Sequence, residues 1–577
     1  MEATSLRLLV VTLLLCGEGC RRDDGPAGAD GAPTRSQDDH PGPLSEGTKQ
    51  STVRSSAALA DLYRDVTAES GIAFTYHNGF EADQYTILES LGGGVALFDY
   101  DGDGLLDVFL TGGGCFGGTE QKQIQGLGSR LYRNLGNWKF RDVTREAGVD
   151  GPLFYTHGCA VADYDRDGWP DLLVTGYGRM ALYHNEPDGK GGRRFVDVTR
   201  AAGLPDNLWT TSAAWGDLDG DGYPDLFVCQ YVDWSFTNNP VCKGSDPSIP
   251  RDLCGPDAFR GLPAKLFRNN GNGTFRDVSK EAGLRPFTGD ARKDKEPGKQ
   301  LGVVIADLNG DGKPDIYVAN DGTGNFLYLN RSTPGRLRVD EVGLVSGVAL
   351  DDQGVADGSM GVDVADYDGS GRASIWVTNY EDQLHSLFRN TGQGFFVYST
   401  PAAGIGSLGS LYVGFGTAFL DVDNHGWEDL VVANGHVRRR SKRVPIRQNP
   451  VLLHNQGGKF MDVTRQAGDY FRRAHLGRGL AVGDLDNDGR PDLVISQLND
   501  PVVVLRNDAG TGYHWLGIEL AGKGRRDIAG AVLMVEAGGR RFTRYAKGGA
   551  SYLSSGDRRL LIGLGNAERI DRVAVNW

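Results

Sequence analysis

Aspartate residues recur along this chain at a spacing that could bind a metal ion. Residues 99–107 read DYDGDGLLD, and related nine-residue segments begin at six later positions. In the pattern D-x-D-x-D-G-x-x-D, carboxylates at positions 1, 3 and 5 can point inward, the glycine permits a sharp turn, and position 9 adds a last carboxylate. Several oxygen ligands at this spacing suit Ca²⁺ better than Mg²⁺, which keeps more of its waters. The alternative interpretation is a set of ordinary Asp-Gly turns.

Five of the seven loops keep the whole pattern and are predicted to be strong Ca²⁺ sites. We expect the ions to be structural, because each loop joins two strands, although ligand bridging or catalysis is an alternative. The predicted side-chain ligands are Asp99, Asp101, Asp103 and Asp107; Asp163, Asp165, Asp167 and Asp171; Asp217, Asp219, Asp221 and Asp225; Asp307, Asn309, Asp311 and Asp315; and Asp484, Asp486, Asp488 and Asp492.

The fifth and sixth loops depart from the pattern. Ser370 and Ser374 replace two carboxylates in the fifth loop, and His425 stands at position 5 of the sixth. Imidazole is a poor ligand for Ca²⁺, which prefers oxygen. The acidic ligands left in these two loops are Asp366, Asp368, Asp421, Asp423 and Asp429.

The elements that position these loops form a repeat. A second motif, FRDVTREAG from Phe140, alternates with the acidic loops, and a strand-like segment such as LYRN from Leu131 lies between the two. Each unit therefore supplies four short strands, which is typical of a propeller blade; a stack of open sheets would leave exposed edges. The last unit lacks its fourth strand, and an extra copy of the motif starts at Tyr63. We expect that N-terminal strand to complete the seventh blade.

These patterns predict an all-β protein with a seven-bladed β-propeller over residues 59–508 and a small β-rich domain over residues 509–577. The composition agrees, because 85 of 577 residues are glycine and only 39% are hydrophobic, which suits short strands and tight turns. The formal net charge of −14 argues against a nucleic-acid partner.

The N-terminus is typical of an export signal. An apolar run over residues 8–15 follows Arg7 and is too short to span a bilayer. Residues 1–20 are predicted to be a signal of the bacterial lipoprotein type, with Cys20 or Cys16 lipidated; an ordinary cleaved signal is the alternative. Residues 21–58 contain few large apolar side chains and are predicted to be a disordered tether.

Long insertions all fall on one predicted face of the propeller. Residues 111–129, 231–263, 285–299 and 435–448 join strands two and three or connect blades, so they leave the ring opposite the acidic loops. Elaborate loops on a rigid scaffold are where binding residues gather, although tolerated surface variation is the alternative. We expect a ligand to dock on this face, and the candidate contacts are Trp234, His436 and Arg439.

Two cysteines lie close together in one of these insertions. Cys242 and Cys254 are predicted to form a disulfide if the protein is exported, and two free thiols are the alternative.

The acidic loops resemble the FG-GAP (VCBS-type) repeats of integrin α-subunit propellers and of bacterial exported proteins. The tail segments HWLGIEL, RRDIAGAVLMVEAGG and YLSSGDRRLLIGLG resemble an ASPIC/UnbV domain. From about residue 60 onward the chain is similar to the cartilage acidic protein family. The resemblance implies the propeller fold and Ca²⁺ binding but no established reaction. The family pattern continues past Trp577, so the resemblance also implies a longer natural chain.

These observations predict an exported Ca²⁺-binding propeller that acts as a binding, adhesion or protein-interaction module at the cell envelope. Its partner would be a protein or a glycan, and only an N-terminal lipid would hold it at the periplasmic or cell-surface membrane; without the lipid it would be secreted. The alternatives are an enzyme of envelope carbohydrate or secondary metabolism and a purely structural assembly partner. No HExxH or GxSxG motif is present, so we do not predict an enzyme.

Overall fold

The computed structural model describes residues 61–151, 153–205, 207–244, 246, 248–284, 297–441 and 443–577. The predicted signal, both candidate lipidation cysteines, the predicted tether and most of the insertion at 285–299 lie outside these ranges. The described residues are mainly β-strand. The expected all-β fold is confirmed.

Among the described residues, thirty strands build the repeat region and its insertions. In chain order, the strands before unit four are β1 (Tyr63–Asp65), β2 (Val95–Phe98), β3 (Asp107–Leu110), β4 (Gly114–Gly117), β5 (Gln123–Gly126), β6 (Arg130–Asn134), β7 (Phe140–Asp142), β8 (Tyr155–Ala162), β9 (Asp171–Tyr177), β10 (Ala181–Pro187), β11 (Arg193–Asp197), β12 (Thr210–Gly216), β13 (Asp225–Gln230), β14 (Lys265–Asn269) and β15 (Phe275–Asp277). Unit four onward contributes β16 (Gln300–Ala306), β17 (Asp315–Asn320), β18 (Phe326–Asn330), β19 (Val339–Glu341), β20 (Val362–Ala365), β21 (Ser374–Val377), β22 (Ser386–Gly392), β23 (Phe395–Tyr398), β24 (Gly414–Leu420), β25 (Asp429–Asn434), β26 (Val451–Asn455), β27 (Phe460–Asp462), β28 (Gly477–Gly483), β29 (Asp492–Gln497) and β30 (Asp500–Asn507).

The C-terminal residues add six strands, and the helices are all short. The strands are β31 (His514–Ile518), β32 (Val532–Ala537), β33 (Arg540–Tyr545), β34 (Gly548–Gly549), β35 (Leu560–Gly565) and β36 (Ile570–Asn576). In the described part of the chain, the two α-helices are α1 (Thr67–Ser70) and α2 (Ser279–Ala282), and the 3₁₀-helices are Phe80–Ala82, Ile87–Ser90, Thr119–Gln121, Phe236–Asn238, Pro256–Ala258, Ile405–Leu408 and Thr464–Gln466. Among the described residues, no helix has the length and apolar character needed to cross a bilayer.

The repeat strands form seven four-stranded antiparallel sheets, which we call units one to seven. They contain β2-β3-β6-β7, β8 to β11, β12 to β15, β16 to β19, β20 to β23, β24 to β27, and β28-β29-β30-β1. The innermost strand of each unit contacts that of the next, and β28 of unit seven contacts β2 of unit one. In unit seven the outer strand is β1, where Tyr63 pairs with Asn507 and Asp65 with Leu505.

Burial explains why the strands differ in composition. The second strand of a unit, such as DLFVCQ in β13, is buried at every position because neighbouring sheets cover both of its faces. The fourth strand, such as FRD in β15, buries only its phenylalanine and exposes two charged side chains. A short, charged outer strand protects the sheet edge from pairing with another chain.

A ring of asparagines links each unit to the one before it. Strand three of every unit carries a buried asparagine at or near its end. Its Nδ2 donates to a carbonyl oxygen at the end of its own acidic loop and to one in the preceding unit's loop, at 2.8–3.2 Å. In unit one, Asn134 reaches Leu485 O of unit seven, 2.9 Å away. The seven residues are Asn134, Asn185, Asn269, Asn330, Asn390, Asn455 and Asn507.

Replacing Asn269 with alanine is expected to destabilise the protein by about 2–5 kcal/mol, because the buried carbonyls of Tyr164 and Pro224 would each lose a donor. Urea unfolding of the purified protein measures this change. Asn270→Ala is the matched control, since Asn270 is exposed and bonds only locally to Thr274. Equal stability of the two variants would contradict a linking role for the ring.

The C-terminal residues do not form a separate module behind the repeats. Strands β31 and β35 pair, and β33-β32-β36 form a second small sheet. Between β33 and β35, residues 548–555, which we call the central segment, run among the innermost strands. Gly548 pairs with Ile305 in β16, and a Cβ at this position would lie 1.8 Å from Trp215 O, so only glycine fits there.

The central segment is bonded to all seven units. In units one to four, the partners are Val95 O with Ser555 N, Cys159 N with Leu553 O, Ser212 Oγ with Leu553 N, and Val303 O with Ala550 N. In units five to seven, Ser551 N donates to Val362 O, Thr417 N donates to Ser551 Oγ, and Ser551 Oγ donates to Leu480 O. The segment therefore occupies part of the space between the innermost strands.

Candidate metal centres and the insertion layer

The first aspartate of an acidic loop fixes the loop's shape. In unit one, Asp99 Oδ1 accepts a hydrogen bond from Gly102 N at 2.7 Å, and Asp99 Oδ2 accepts one from Gly104 N at 2.8 Å. Unit four repeats this, with Asp307 accepting from Gly310 N and Gly312 N. These bonds curl the backbone so that the later carboxylates face one point.

The ninth residue anchors the loop to the sheet. Asp107 is fully buried, with Oδ2 accepting from Tyr100 N at 3.0 Å and Oδ1 from Asn134 N at 2.8 Å. Burial raises the pKa of Asp107 to about 8. The equivalent residues of units two, three, four, six and seven accept the same pair of bonds. In unit five, Ser374 Oγ replaces the carboxylate and accepts from Asn390 N.

The predicted ligands of three intact loops converge closely enough to hold an ion. One oxygen from each member of a group lies within 4.8 Å of the others in the sets Asp99, Asp101 and Asp107; Asp163, Asp165 and Asp171; and Asp217, Asp219 and Asp225. Within the described residues, five buried loop oxygens have no hydrogen-bond partner: Asp101 Oδ1, Asp163 Oδ1, Asp217 Oδ1, Asp366 Oδ1 and Asp486 Oδ1.

Buried carboxylate oxygens without donors are costly unless a cation neutralises them. Burial, followed by repulsion from Asp167 and Asp165, raises the pKa of Asp163 to about 6. In unit seven, burial raises the pKa of Asp484 to about 7. The residues of the intact loops themselves offer only oxygen donors, so these loops fit Ca²⁺.

Arginines on strand three lie at the rim of some loops. Arg133 Nε is 2.6 Å from Asp101 Oδ2, and Arg268 Nε is 2.7 Å from Asp219 Oδ2. Leu329 stands at this position in unit four. The arginines supply part of the balancing charge from outside the loop and leave the orphaned oxygens of Asp101 and Asp217 unpaired among the described residues.

The sixth loop brings two histidines together. His425 Nδ1 lies 3.0 Å from Asp421 Oδ1 and 2.7 Å from Asp423 Oδ1. His454, from strand β26, stacks on His425 with ring centroids 4.6 Å apart. Burial alone would lower the pKa of His425, but hydrogen bonds to Asp421 and Asp423 raise it to about 11. Sequence reasoning missed His454, although its place in LLHN matches the rim arginine of LYRN.

The C-terminal residues cover the face that carries the acidic loops. Arg526 Nη2 lies 3.4 Å from Asp217 Oδ2 of the third loop, and Arg540 Nη1 donates to His425 O of the sixth at 2.8 Å. Arg559 Nη2 donates to Asp484 O of the seventh loop at 3.0 Å. This face is therefore largely occupied by the protein's own chain.

The opposite face is an insertion layer with a hydrophobic interior. Aromatic side chains from several insertions, including Trp209 and Tyr231, form one buried cluster with Tyr552 and Leu553 of the central segment. Cys242 and Cys254 are joined in a disulfide within this layer, with Cα atoms 5.2 Å apart. The free cysteines Cys159 and Cys229 are buried in the strands.

Two of the three residues predicted to contact a ligand, Trp234 and His436, lie inside this layer, so that interpretation is corrected for both. Trp234 is 2% exposed and packs against Tyr177 and Phe236, because the insertions fold over it. His436 is also 2% exposed, with Nε2 3.4 Å from Glu381 Oε2. Their role is to hold the insertions together.

Arg439 is mostly buried and pairs with Glu89 and Asp83. Arg439 also contributes to an arginine–tyrosine patch, together with the half-buried Tyr85 and Arg251 and the exposed Arg440. Arg439 Cζ and Arg251 Cζ lie 4.5 and 4.9 Å from the Tyr85 ring centroid, and Arg440 Nη2 donates to Tyr85 Oη at 3.3 Å. Val241 and Leu411 are exposed apolar side chains of the same layer.

Comparisons with known proteins identify the repeats and the tail. Residues 99–174, 163–228, 262–318, 307–377 and 421–495 match the model of an FG-GAP-like repeat, and residues 476–515 match an FG-GAP repeat. Residues 521–577 match ASPIC and UnbV. The chain is an FG-GAP repeat protein with a propeller-like fold. It carries a C-terminal ASPIC and UnbV domain and is homologous to cartilage acidic protein 1.

Curated relatives support this assignment. Cartilage acidic protein 1 of Homo sapiens is 24% identical over 434 residues, covering 73% of this chain and 59% of that protein. The Xenopus tropicalis protein is 29% identical over 232 residues, covering 37% of this chain and 33% of that protein. Human integrin alpha-7 is 34% identical over 85 residues, covering 13% of this chain and 7% of that protein. The chain thus matches less than two thirds of the length of these relatives.

Solved structures with similar folds include a lectin of Agrocybe aegerita that recognises non-reducing terminal N-acetylglucosamine. It has 16% identity and a TM-score of 0.37, covering 71% of this chain and 86% of that one. A chain in a crystal structure of BBS1N in complex with ARL6DN has 8% identity and a TM-score of 0.39, covering 78% of this chain and 98% of that one.

Proposed function

We propose that this protein is an exported, Ca²⁺-stabilised adhesion or protein-interaction module of the cell envelope, which binds a protein or glycan on its insertion layer. The observation that carries the proposal is the unequal use of the two faces. The C-terminal residues occupy the acidic-loop face through Arg526, Arg540 and Arg559, and the insertion layer is the elaborated face that remains. The relation to cartilage acidic protein 1 and integrin alpha-7 supports an interaction module.

Calcium, when bound, would supply the positive charge that the buried loop carboxylates lack. The side chains that would hold it are those at positions 1, 3, 5 and 9 of the intact loops, including the orphaned oxygens of Asp101, Asp163, Asp217 and Asp486. Each loop joins the first and second strands of its unit, so neutralising it stiffens the scaffold beneath the insertions.

The arginine–tyrosine patch is the surface we propose for the partner. Guanidinium groups beside an aromatic ring suit carboxylates, sulfates or acidic sugars, because they combine charge-assisted hydrogen bonds with a flat stacking surface. Exposed apolar side chains elsewhere in the insertion layer, such as Val241 and Leu411, would add apolar area. An acidic protein or glycan is therefore the partner class that the patch fits.

Export is supported by the apolar N-terminal run and by the disulfide, which is stable in oxidising compartments. We propose that membrane attachment, where it occurs, is through a lipid on Cys20 or Cys16, and that nucleic acid is not a partner.

An array of glycans and extracellular proteins, probed with the purified protein in Ca²⁺ and in EGTA, tests the proposal. We expect Ca²⁺-dependent binding to acidic members of the array. The double variant Tyr85→Ala, Arg440→Glu is expected to lose at least about tenfold in affinity, since truncating one partner of a hydrogen-bonded charge pair that binding buries costs about 2–5 kcal/mol, and about 1.4 kcal/mol is tenfold.

Arg572→Glu is the matched control, because Arg572 is an exposed arginine of the C-terminal sheet. It should bind as the unmodified protein does. Binding that survives the double variant but fails in Arg572→Glu would place the partner on the opposite face and contradict the proposal.

A further inference from the structure

The sixth acidic loop has a donor set unlike that of the others. Where the intact loops have a carboxylate at position 5, this loop has His425, and strand three contributes His454. One ligand atom from each of Asp423, His425, Asp429 and His454 lies within 4.8 Å of the others. Two imidazole nitrogens and two carboxylate oxygens therefore converge at one point.

His454 provides an independent indication of a ligand. Its side chain is 9% exposed, and among the described residues neither ring nitrogen has a hydrogen-bond partner. The nearest carboxylate oxygen, Asp423 Oδ2, lies 3.4 Å from His454 Nε2. Buried polar nitrogens are nearly always hydrogen-bonded or coordinated, so a buried imidazole without a partner needs an explanation.

The orientation of the His425 ring also indicates a bound ligand. Its Nε2 lies 2.8 Å from Asn455 O, which can only accept a hydrogen bond, so Nε2 carries a proton. The other nitrogen, Nδ1, is then directed at the carboxylates of Asp421 and Asp423. A ring nitrogen whose partner nitrogen donates to a backbone carbonyl is the usual arrangement of a metal-bound histidine.

We propose that the sixth loop binds a borderline first-row cation, Zn²⁺, through Asp423, His425, Asp429 and His454, while the intact loops bind Ca²⁺. Zinc takes four nitrogen and oxygen ligands, whereas Ca²⁺ requires more ligands and only oxygen. The second loop has a single imidazole, His184, whose Nδ1 is 3.1 Å from Asp171 Oδ1, and it lacks a second histidine. Selectivity between the loops follows from this difference.

Cobalt serves as a spectroscopic substitute for zinc. The full-length protein, stripped with chelator and resupplied with excess Ca²⁺, is titrated with Co²⁺ while its visible absorption is recorded. We expect one equivalent of Co²⁺ to develop d–d bands that Ca²⁺ does not suppress and Zn²⁺ abolishes. His454→Asn should weaken this site by about 100-fold or more, since even outer-shell changes cost 10–100-fold.

His184→Asn is the control for the second loop and should leave the bands unchanged. His425→Asp restores the sequence of an intact loop, so it should remove the Co²⁺ bands and add one equivalent of bound Ca²⁺. If His454→Asn does not fold, X-ray absorption of the unmodified protein loaded with one equivalent of Zn²⁺ should show imidazole scattering.

The proposal fails if the unmodified protein develops no Co²⁺ bands in the presence of Ca²⁺, because a proton on His425 would then be what balances Asp421 and Asp423. It also fails if His184→Asn, and not His454→Asn, removes the bands, or if the bound Zn²⁺ shows no imidazole scattering.

Discussion

Removing calcium with excess EGTA is expected to lower the melting temperature of this protein by about 10 °C. A site held at one hundred times its Kd contributes about 2.7 kcal/mol, and globular proteins unfold with an entropy of about 2.1 cal/mol/K per residue. Five intact loops together would contribute about five times that free energy. Dividing this sum by the unfolding entropy of a domain of this length gives a shift of about 10 °C. Scanning calorimetry and metal analysis of the same sample measure it.

Two single substitutions distinguish loop chemistry from general damage. Asp165→Ala removes a carboxylate from the intact second loop and should release one Ca²⁺, with a loss of about 2.7 kcal/mol at the same calcium concentration. Asp368→Ala makes the same change in the fifth loop, where serine already replaces two carboxylates. Asp368→Ala should change neither the amount of bound Ca²⁺ nor the free energy of unfolding. Purified protein without calcium, melting at the same temperature in EGTA, would contradict the calcium proposal.

The second large effect concerns the N-terminal strand. A chain that starts at residue 68 lacks β1, which fills the outer position of unit seven, and with it three buried side chains: Leu62, Tyr63 and Val66. Loss of one large buried side chain typically costs about 2–5 kcal/mol, so the shortened chain should lose more than about 5 kcal/mol and expose β30 as a sheet edge. Urea unfolding and light scattering measure the two consequences.

A chain that starts at residue 59 is the control, because it retains β1. It should unfold with the same midpoint as the full-length protein. Equal stability and solubility of the two shortened chains would show that β1 is dispensable.

Much of the fold could be predicted because it is encoded locally and seven times over. The acidic loop, the LYRN segment and the FRDVT segment each fix one part of a unit, and their order predicts the strand order that the structure has. Even the extra copy at Tyr63 finds its partner in Asn507. The loop ligands were also predictable, since their spacing places alternate carboxylates on one side of a turn.

The features that sequence reasoning missed depend on contacts between distant parts of the chain. The asparagine ending each LYRN segment was visible as a repeated letter, but its bond to the preceding unit was not. His454 lies 29 positions after His425, and only pairing of β25 with β26 brings the two imidazoles together. Trp234 and His436 looked like surface contacts because nothing in an insertion's sequence shows that other insertions cover it.

The central segment also has a consequence for how the protein is made. Ser555 bonds to Val95, so the innermost strand of unit one waits for residues that are translated 460 positions later. At about 5–20 residues per second, that delay is roughly 20–90 s. Until the central segment is made, the innermost strands already translated lack their common partner and present unfilled hydrogen-bonding groups. Contacts so distant in sequence also slow folding. The nascent chain is therefore expected to depend on chaperones until its last residues emerge.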